Sequence, residues 1–321
     1  MKPVRVGITM GDPAGIGPEI VAKAVNRDRI HKIGRILIIG DGWVFNKVTA
    51  GRLKKRGIEF ADLKNVPRKN FKFGNIKPEY GRAAIEYLKR AVELIKKKEL
   101  DCLVTAPICK EAIKLAGYNY NGHTEFFAEV FAKKRDELVM MLLNKYLKIS
   151  LMTRHLPLNK VSAALNKGMI YKNIIITYKS LINYFGIISP KICVTALNPH
   201  AGEAGLLGKE EIKLIIPAIK KIKRIIKDID GPLPADRAFS AAKKGYFDAV
   251  IAMYHDQALI PLKLTDFESG VNITLGLNFV RTSPLHGTGF DIAGKNIASD
   301  ASLVSAIETA VRCQRNLKKI K

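Results

Sequence analysis

Apolar residues in this chain come in short runs, and stretches of helical spacing separate them from one end to the other. Runs rich in β-branched and aliphatic residues predict strands over 4–9, 35–39, 102–105, 138–143, 149–152, 192–197 and 249–253. Apolar positions recurring every three or four residues predict helices over 18–25, 79–98, 125–132, 172–185, 209–229, 235–244 and 302–318. The helix over 209–229 has the plainest pattern: Ile215, Ile219, Ile222, Ile226 and Ile229 form one stripe, the mark of an outer helix packed on a sheet. Strands and helices alternating in this way give an α/β fold with a largely parallel sheet. Residues 263–297 are richer in Gly, Asn, Thr and Ser and read as loops with short strands. No repeat and no Ser/Gly tether interrupts the pattern, so two domains would be joined by short crossings of the chain.

Length then bears on organisation. At 321 residues the chain exceeds the usual single domain, which leaves two domains or one large unit. No apolar stretch reaches the roughly 18 residues that a membrane span requires, and residues 1–10 lack a signal core, which predicts a cytoplasmic protein with no membrane partner. Cys102, Cys109, Cys193 and Cys313 are scattered, neither a disulfide framework nor a zinc knuckle. Cys102 and Cys193, in apolar runs, read as small core residues. The formal charge of +25 would suit a nucleic-acid partner if it were gathered in one place. It is spread evenly, with the densest runs on the polar faces of predicted helices. We read it as a solvated surface that also draws in anions, and expect no nucleic-acid partner.

The histidines carry the chemistry. His155, His200 and His255 each sit just past the end of a predicted strand. In parallel α/β sheets those strand ends line one edge, where ligands bind. Three neutral imidazoles meeting there would suit a divalent metal and leave a position open for substrate. Taken singly, each is better explained as a hydrogen-bonding loop residue. His31, in a charged segment, reads as a surface residue.

Anion-binding candidates form a second group. Gly122-His123-Thr124-Glu125 opens a helix, where backbone N–H groups favour phosphate or carboxylate, although Thr124 could serve as an N-cap. Lys263, Asn272 and Arg281 follow His255 in the loop-rich stretch, and Arg can grip an oxyanion with two parallel donors. The turn Met10-Gly11-Asp12-Pro13-Ala14-Gly15-Ile16-Gly17 is neither a Rossmann fingerprint nor a Walker loop. A tight strand-to-helix turn explains its glycines, with a close approach to a ligand as the second reading.

With the Pro18-Glu19 that follows it, that turn resembles the 4-hydroxythreonine-4-phosphate dehydrogenase family, as do His155-Leu156-Pro157-Leu158 and Asn198-Pro199-His200-Ala201-Gly202-Glu203. Gly122-His123-Thr124-Glu125, Gly231-Pro232-Leu233-Pro234-Ala235-Asp236, Tyr254-His255-Asp256-Gln257 and Gly270-Val271-Asn272-Ile273-Thr274 do so too. The likeness runs in order from residue 8 to about residue 300. It implies two α/β/α domains of isopropylmalate-dehydrogenase-like type with an active-site cleft between them. We expect one domain from 1–125 plus 262–321 that binds NAD or NADP. The other, 126–261, would carry metal, substrate and dimer contacts.

The resemblance implies a divalent metal (Zn, Mg or Co) on His155, His200 and His255, shared between the subunits of a homodimer. It places a small phosphorylated hydroxy-amino acid on His123, Thr124, Lys263, Asn272 and Arg281. The stretch from His286 to Ala298 looks like the adenosine-binding loop of isopropylmalate and isocitrate dehydrogenases, which puts cofactor on His286, Gly287, Asp291 and Asn296. Two positions depart from the pattern: Cys109 stands where Asn or His is expected, and Ala258 where Gly is common.

The reaction implied is oxidation of 4-phosphooxy-threonine in vitamin B6 synthesis, followed by decarboxylation. Asp236 is the expected base and Lys110 its competitor, while Asp236 could equally be a helix N-cap. A paralogue acting on phospho-threonate or phospho-erythronate is the nearest rival. A metal-dependent lyase or aldolase using the same histidines without nicotinamide is the second.

Overall fold

Two groups of strands, each with its own helices, divide the chain. The computed structural model describes residues 3–50, 57–131, 134 and 137–320. Its compact units are Met1–Lys133 with Leu277–Lys319, and Lys134–Gly276. These boundaries fall later than the expected 125/126 and 261/262. The helix His255–Asp266 and the strand Val271–Leu275 thus belong to the second unit, where that strand pairs antiparallel with Val139–Leu143.

The first unit contains β1 (Val4–Thr9), β2 (Gly34–Gly40), β3 (Ile58–Asp62) and β4 (Cys102–Thr105), then β11 (Val280–Pro284) after the chain returns. They lie in the order β3-β2-β1-β4-β11, every pair parallel. β4 is buried along its whole length, as parallel strands covered on both faces must be. The helix Pro78–Lys96 packs against β1 and β2 and buries Tyr80, Ala84, Tyr87, Leu88 and Ala91. Each large apolar side chain so buried contributes about 1.5–3 kcal/mol.

The second unit holds β5 (Val139–Leu143), β6 (Lys148–Leu151), β7 (Ile192–Thr195), β8 (Ile229–Leu233), β9 (Ala249–Ala252) and β10 (Val271–Leu275). Their order is β10-β5-β6-β9-β7-β8, parallel from β6 onward. The helix Lys167–Phe185 starts where the Asn166 side chain accepts from the Met169 N–H, and stops at Gly186 in the left-handed region. It is tied to the sheet by Asn173 Nδ2, which donates to the Leu151 carbonyl, and by Thr177 Oγ1, which donates to Ser150 Oγ.

The isoleucine stripe is buried throughout, but the segment is not one helix. A π turn over Glu211–Ile215 leads into an α-helix over Ile216–Ile222, and Ile229 already begins β8. Spacing alone cannot show where helix gives way to strand when both bury the same isoleucines. Of the predicted helix over 125–132, the structure forms His123–Val130, and Ala132 lies outside the described residues. The segment read as loops after residue 263 contains the end of the helix His255–Asp266 and strands β10 and β11. Among the described residues no helix is long and apolar enough to cross a membrane. All four cysteines are free and buried.

Candidate active site

In the first unit the candidate anion contacts come together. Arg281 lies on β11 and is 1% exposed, the largest fully buried side chain among the described residues. Its Nε and Nη2 donate to Thr105 Oγ1 at the end of β4, and its guanidinium carbon is 5.8 Å from the Phe127 ring centre. Burial pulls its pKa down to about 9, which still leaves it charged at pH 7.

His123 opens the helix His123–Val130. Burial, and secondly the charge of Arg281, hold its imidazole well below the usual histidine value, so it is neutral at pH 7. Its Nε2 is shielded from solvent and makes no hydrogen bond. A buried cation acting on a histidine with an unsatisfied ring nitrogen at a helix start is chemistry suited to an oxyanion. Thr124 is buried in the first turn, but the cap position is Gly122, so the N-cap reading of Thr124 is corrected.

The same unit holds the expected cofactor residues. His286 Nε2 is buried without a partner, and burial lowers the pKa of the ring. Gly287, Asp291 and Asn296 are exposed. The glycine-rich turn packs on this loop: the Ile16 N–H donates to the Thr288 carbonyl, and a Cβ on Gly15 would lie 2.9 Å from that oxygen. Gly11 (φ +73°) has room for no side chain beside the Pro107 carbonyl. These contacts support the turn reading of the glycines. Lys110 is exposed at the start of the helix Lys110–Leu115, and Cys109 caps that helix by accepting from the Ala112 N–H.

Sequence reading passed over Asp12, in the same turn. It is fully buried, its Oδ1 accepts from the Ala14 N–H, and its Oδ2 has no partner. Burial pushes its pKa up to about 6. A carboxyl whose folded pKa is raised stabilises the protein below its unfolded value of 3.8, and loses that contribution as pH rises through 6. Asp12→Asn keeps the bond to Ala14 and never ionises. Urea titrations should therefore show its stability relative to wild type improving by about 2.5 kcal/mol between pH 4 and pH 8. An offset that does not change with pH would contradict the burial argument.

In the second unit, His155, His200 and His255 lie beyond the C-terminal ends of β6, β7 and β9, which are neighbours in the sheet. Side-chain bonds lock these ends together. Thr153 Oγ1 donates to the Met253 carbonyl at 2.7 Å. Gln257, buried, donates from Nε2 to the Ala196 carbonyl, and its Oε1 accepts from the Met253 N–H and Thr195 Oγ1. The sequence gives one sign of this role, that Gln257 stands two residues past His255.

The rings of His155 and His255 lie 5.4 Å apart. His255 Nδ1 is 2.6 Å from Asp256 Oδ1, a contact that fixes the ring and leaves Nε2 as the outward nitrogen. His200 is exposed, on a turn of left-handed residues. Among the described residues no group of three or more His, Cys, Asp or Glu is arranged to hold a metal, so one chain brings together a pair rather than the expected trio. Two imidazole rings this close together fit part of a divalent-metal site.

Lys263 lies on the helix His255–Asp266, 5.4 Å from the Phe267 ring, and Asn272 lies on β10 with its Oδ1 buried and unpartnered. Neither is the loop residue expected. Asp236 is exposed in the first turn of the helix Ala235–Lys243, whose cap position is Pro234, so the N-cap reading of Asp236 is also corrected. His31 is half-buried with its Nε2 shielded, not the surface residue anticipated.

Comparison with known proteins gives a consistent result. The profile of the family described as pyridoxal phosphate biosynthetic protein PdxA matches residues 21–310. The chain is 40% identical to a protein of Sulfurihydrogenibium sp. (strain YO3AOP1) named 4-hydroxythreonine-4-phosphate dehydrogenase, over 97% of this chain and 99% of that one. It is 38% identical, over 99% of both chains, to a Fusobacterium nucleatum protein that carries the provisional name D-threonate 4-phosphate dehydrogenase. The crystal structure of 4-hydroxythreonine-4-phosphate dehydrogenase from Klebsiella pneumoniae matches with a TM-score of 0.88 and 34% identity, over 98% of each chain. At the level of fold alone, isocitrate dehydrogenase from Methylococcus capsulatus matches with a TM-score of 0.53 at 12% identity, covering 99% of this chain and 88% of that one.

Proposed function

The chain belongs to the family of the pyridoxal phosphate biosynthetic protein PdxA, and on that premise we propose that it oxidises 4-phosphooxy-L-threonine with NAD or NADP. The product is 2-amino-3-oxo-4-phosphooxybutanoate, which loses carbon dioxide to give 3-amino-2-oxopropyl phosphate in pyridoxal phosphate biosynthesis. The observation that carries this reading is that buried Arg281 acts electrostatically on buried His123, whose Nε2 has no partner, a pair of groups suited to a phosphate or carboxylate.

We assign Arg281, His123 and Thr124 to anion binding, with Lys263 and Asn272 completing the substrate contacts. Holding both charged ends of the substrate fixes the carbinol hydrogen for transfer. Asp236 takes the hydroxyl proton: it is exposed and not engaged as a helix cap. Lys110 is the competing assignment. His286, Gly287, Asp291 and Asn296 are assigned to the nicotinamide cofactor, which accepts the hydride. His155, His200 and His255 would hold a divalent cation (Zn, Mg or Co), which when bound polarises the substrate hydroxyl.

Among the described residues of one chain two imidazoles come together, so we assign the complete set to a homodimer. The helix that carries His255 leaves Ile260 and Leu264 exposed, with Phe267 just beyond, and the segment after His200 exposes Leu206 and Leu207. Apolar side chains left uncovered beside both candidate ligands favour a second copy as their cover. Free, buried cysteines agree with the cytoplasm as the place of reaction.

A second reading stays open because relatives of equal identity are named for D-threonate 4-phosphate dehydrogenase. It covers 4-phospho-threonate or 4-phospho-erythronate as substrate. Absorbance of reduced nicotinamide should rise with 4-phosphooxy-L-threonine at a kcat/KM at least about tenfold above that with D-threonate 4-phosphate, a margin worth about 1.4 kcal/mol. The reverse ranking would transfer the assignment to the sugar acid, and no signal with either would end it.

A further inference from the structure

We propose that Glu211 is the positioning residue for His200, holding the strained turn that presents this imidazole. The proposal rests on the reading above that His200 is a metal ligand, and adds to it the group that fixes the ligand in place.

His200, Ala201, Gly202, Glu203 and Ala204 have φ angles of 51°, 55°, 77°, 41° and 52°. Five successive residues are thus left-handed, and only one is a glycine. For L-residues this conformation is disfavoured at every step, and it occurs as single residues rather than runs. Such a turn persists only where its surroundings over-determine it. At its end the Leu206 N–H donates to the Glu203 carbonyl and the Leu207 N–H to the Gly202 carbonyl.

The support comes from Glu211, which is 1% exposed. Its Oε1 accepts from the backbone N–H groups of Leu197 and Asn198 at 2.9 and 2.8 Å, and its Oε2 accepts from Asn198 Nδ2 at 2.9 Å. Asn198 is the residue on which the turn begins. A Cβ on Gly202 would lie 2.6 Å from Glu211 Oε2, so the carboxyl fills the inside of the turn and touches its middle residue. The preceding Glu210 braces the outside by accepting from Asn198 Nδ2 and Ser162 Oγ. Glu211 itself begins a π turn, a backbone irregularity common near functional sites. All three of its partners are N–H donors, so an amide at this position turns one oxygen into a donor aimed at a donor.

The test uses the metal-free full-length enzyme, with Co(II) as probe and its visible spectrum as readout. E211Q should bind Co(II) about 10- to 100-fold more weakly, the usual cost of losing a group that orients a ligand. It should also show an altered Co(II) band. Adding A204G, which makes a second turn residue tolerant of positive φ, should recover part of that loss. A residue that merely stabilises the fold would lower the thermal midpoint and leave the spectrum of the folded fraction unchanged. If E211Q does not fold, G202A, which pushes a Cβ against Oε2, carries the same expectation.

Wild-type Co(II) affinity in folded E211Q, with H200A impaired, overturns the role of Glu211 alone. Wild-type affinity in H200A removes His200 from the metal site and takes this proposal with it.

Discussion

Replacing Arg281 with Met should lower kcat/KM by about 10³-fold, the loss expected when an anionic ligand is deprived of a buried, two-pronged cationic partner worth roughly 2–5 kcal/mol. Folding stability should respond differently. Arg281 is almost wholly inside the first unit, on β11, and burial already works against its charge. Exchanging a buried charge for an apolar side chain of similar length is often neutral, or stabilising by about 1–4 kcal/mol. Activity and stability should therefore part company, with R281M as stable as wild type or more so in urea and almost inactive. Arg281→Lys keeps the charge but not the planar fork, and should recover only part of the activity. If R281M unfolds early and keeps wild-type KM when folded, Arg281 is a structural cation, and the anion receptor must be sought elsewhere.

Much of this arrangement could be read before any coordinates, and what could not has particular causes. β1 and β4 emerge at their observed limits because they are buried, aliphatic and flanked by turn residues. β11 does not, since Arg281, Thr282 and Ser283 make a buried strand look polar. Those residues are polar yet satisfied, Arg281 by Thr105 Oγ1 and Thr282 by the Ala306 carbonyl, a local conflict typical of functional segments. The helix His255–Asp266 was hidden for the opposite reason. Its Ile260 and Leu264 face solvent in the single chain while Ala258 and Leu262 face the core, so apolar residues appear all round and the helical period is blurred. Pro261 lies inside it as well.

The site was legible to the extent that chemistry follows strand ends. His155, His200 and His255 could be located at one edge of a sheet because each directly follows an aliphatic run. Their mutual arrangement could not, because it depends on groups with no local signature. Gln257 stitches β7 to β9, and Glu211 shapes the turn at His200 from eleven residues away. Asp12 was passed over because a Gly-Asp-Pro turn is explained by backbone needs alone. Only the burial of its unpartnered oxygen distinguishes it.

His155→Ala should abolish stoichiometric metal binding and lower kcat by about 10³-fold or more, in line with losing a cation that contributes several kcal/mol to the transition state. The chelator-treated wild-type enzyme should show the same defect and recover when Zn, Mg or Co is returned. The pairing of His155 with His255 at 5.4 Å makes a sharper expectation possible. If a second copy supplies the missing imidazole, neither H155A nor H200A homodimers contain an intact site. In a heterodimer of the two, both defects can fall in one site and leave the other whole. Co-expressed H155A and H200A chains, purified through two different tags, should then regain close to half the wild-type kcat per dimer and one metal ion in place of two. A site built within one chain predicts no recovery at all, because each subunit would carry its own lesion. Restored activity in the heterodimer together with inactive homodimers would establish the shared site. An inactive, metal-free heterodimer would confine the three histidines to a single subunit and require a closing motion of the His200 turn instead.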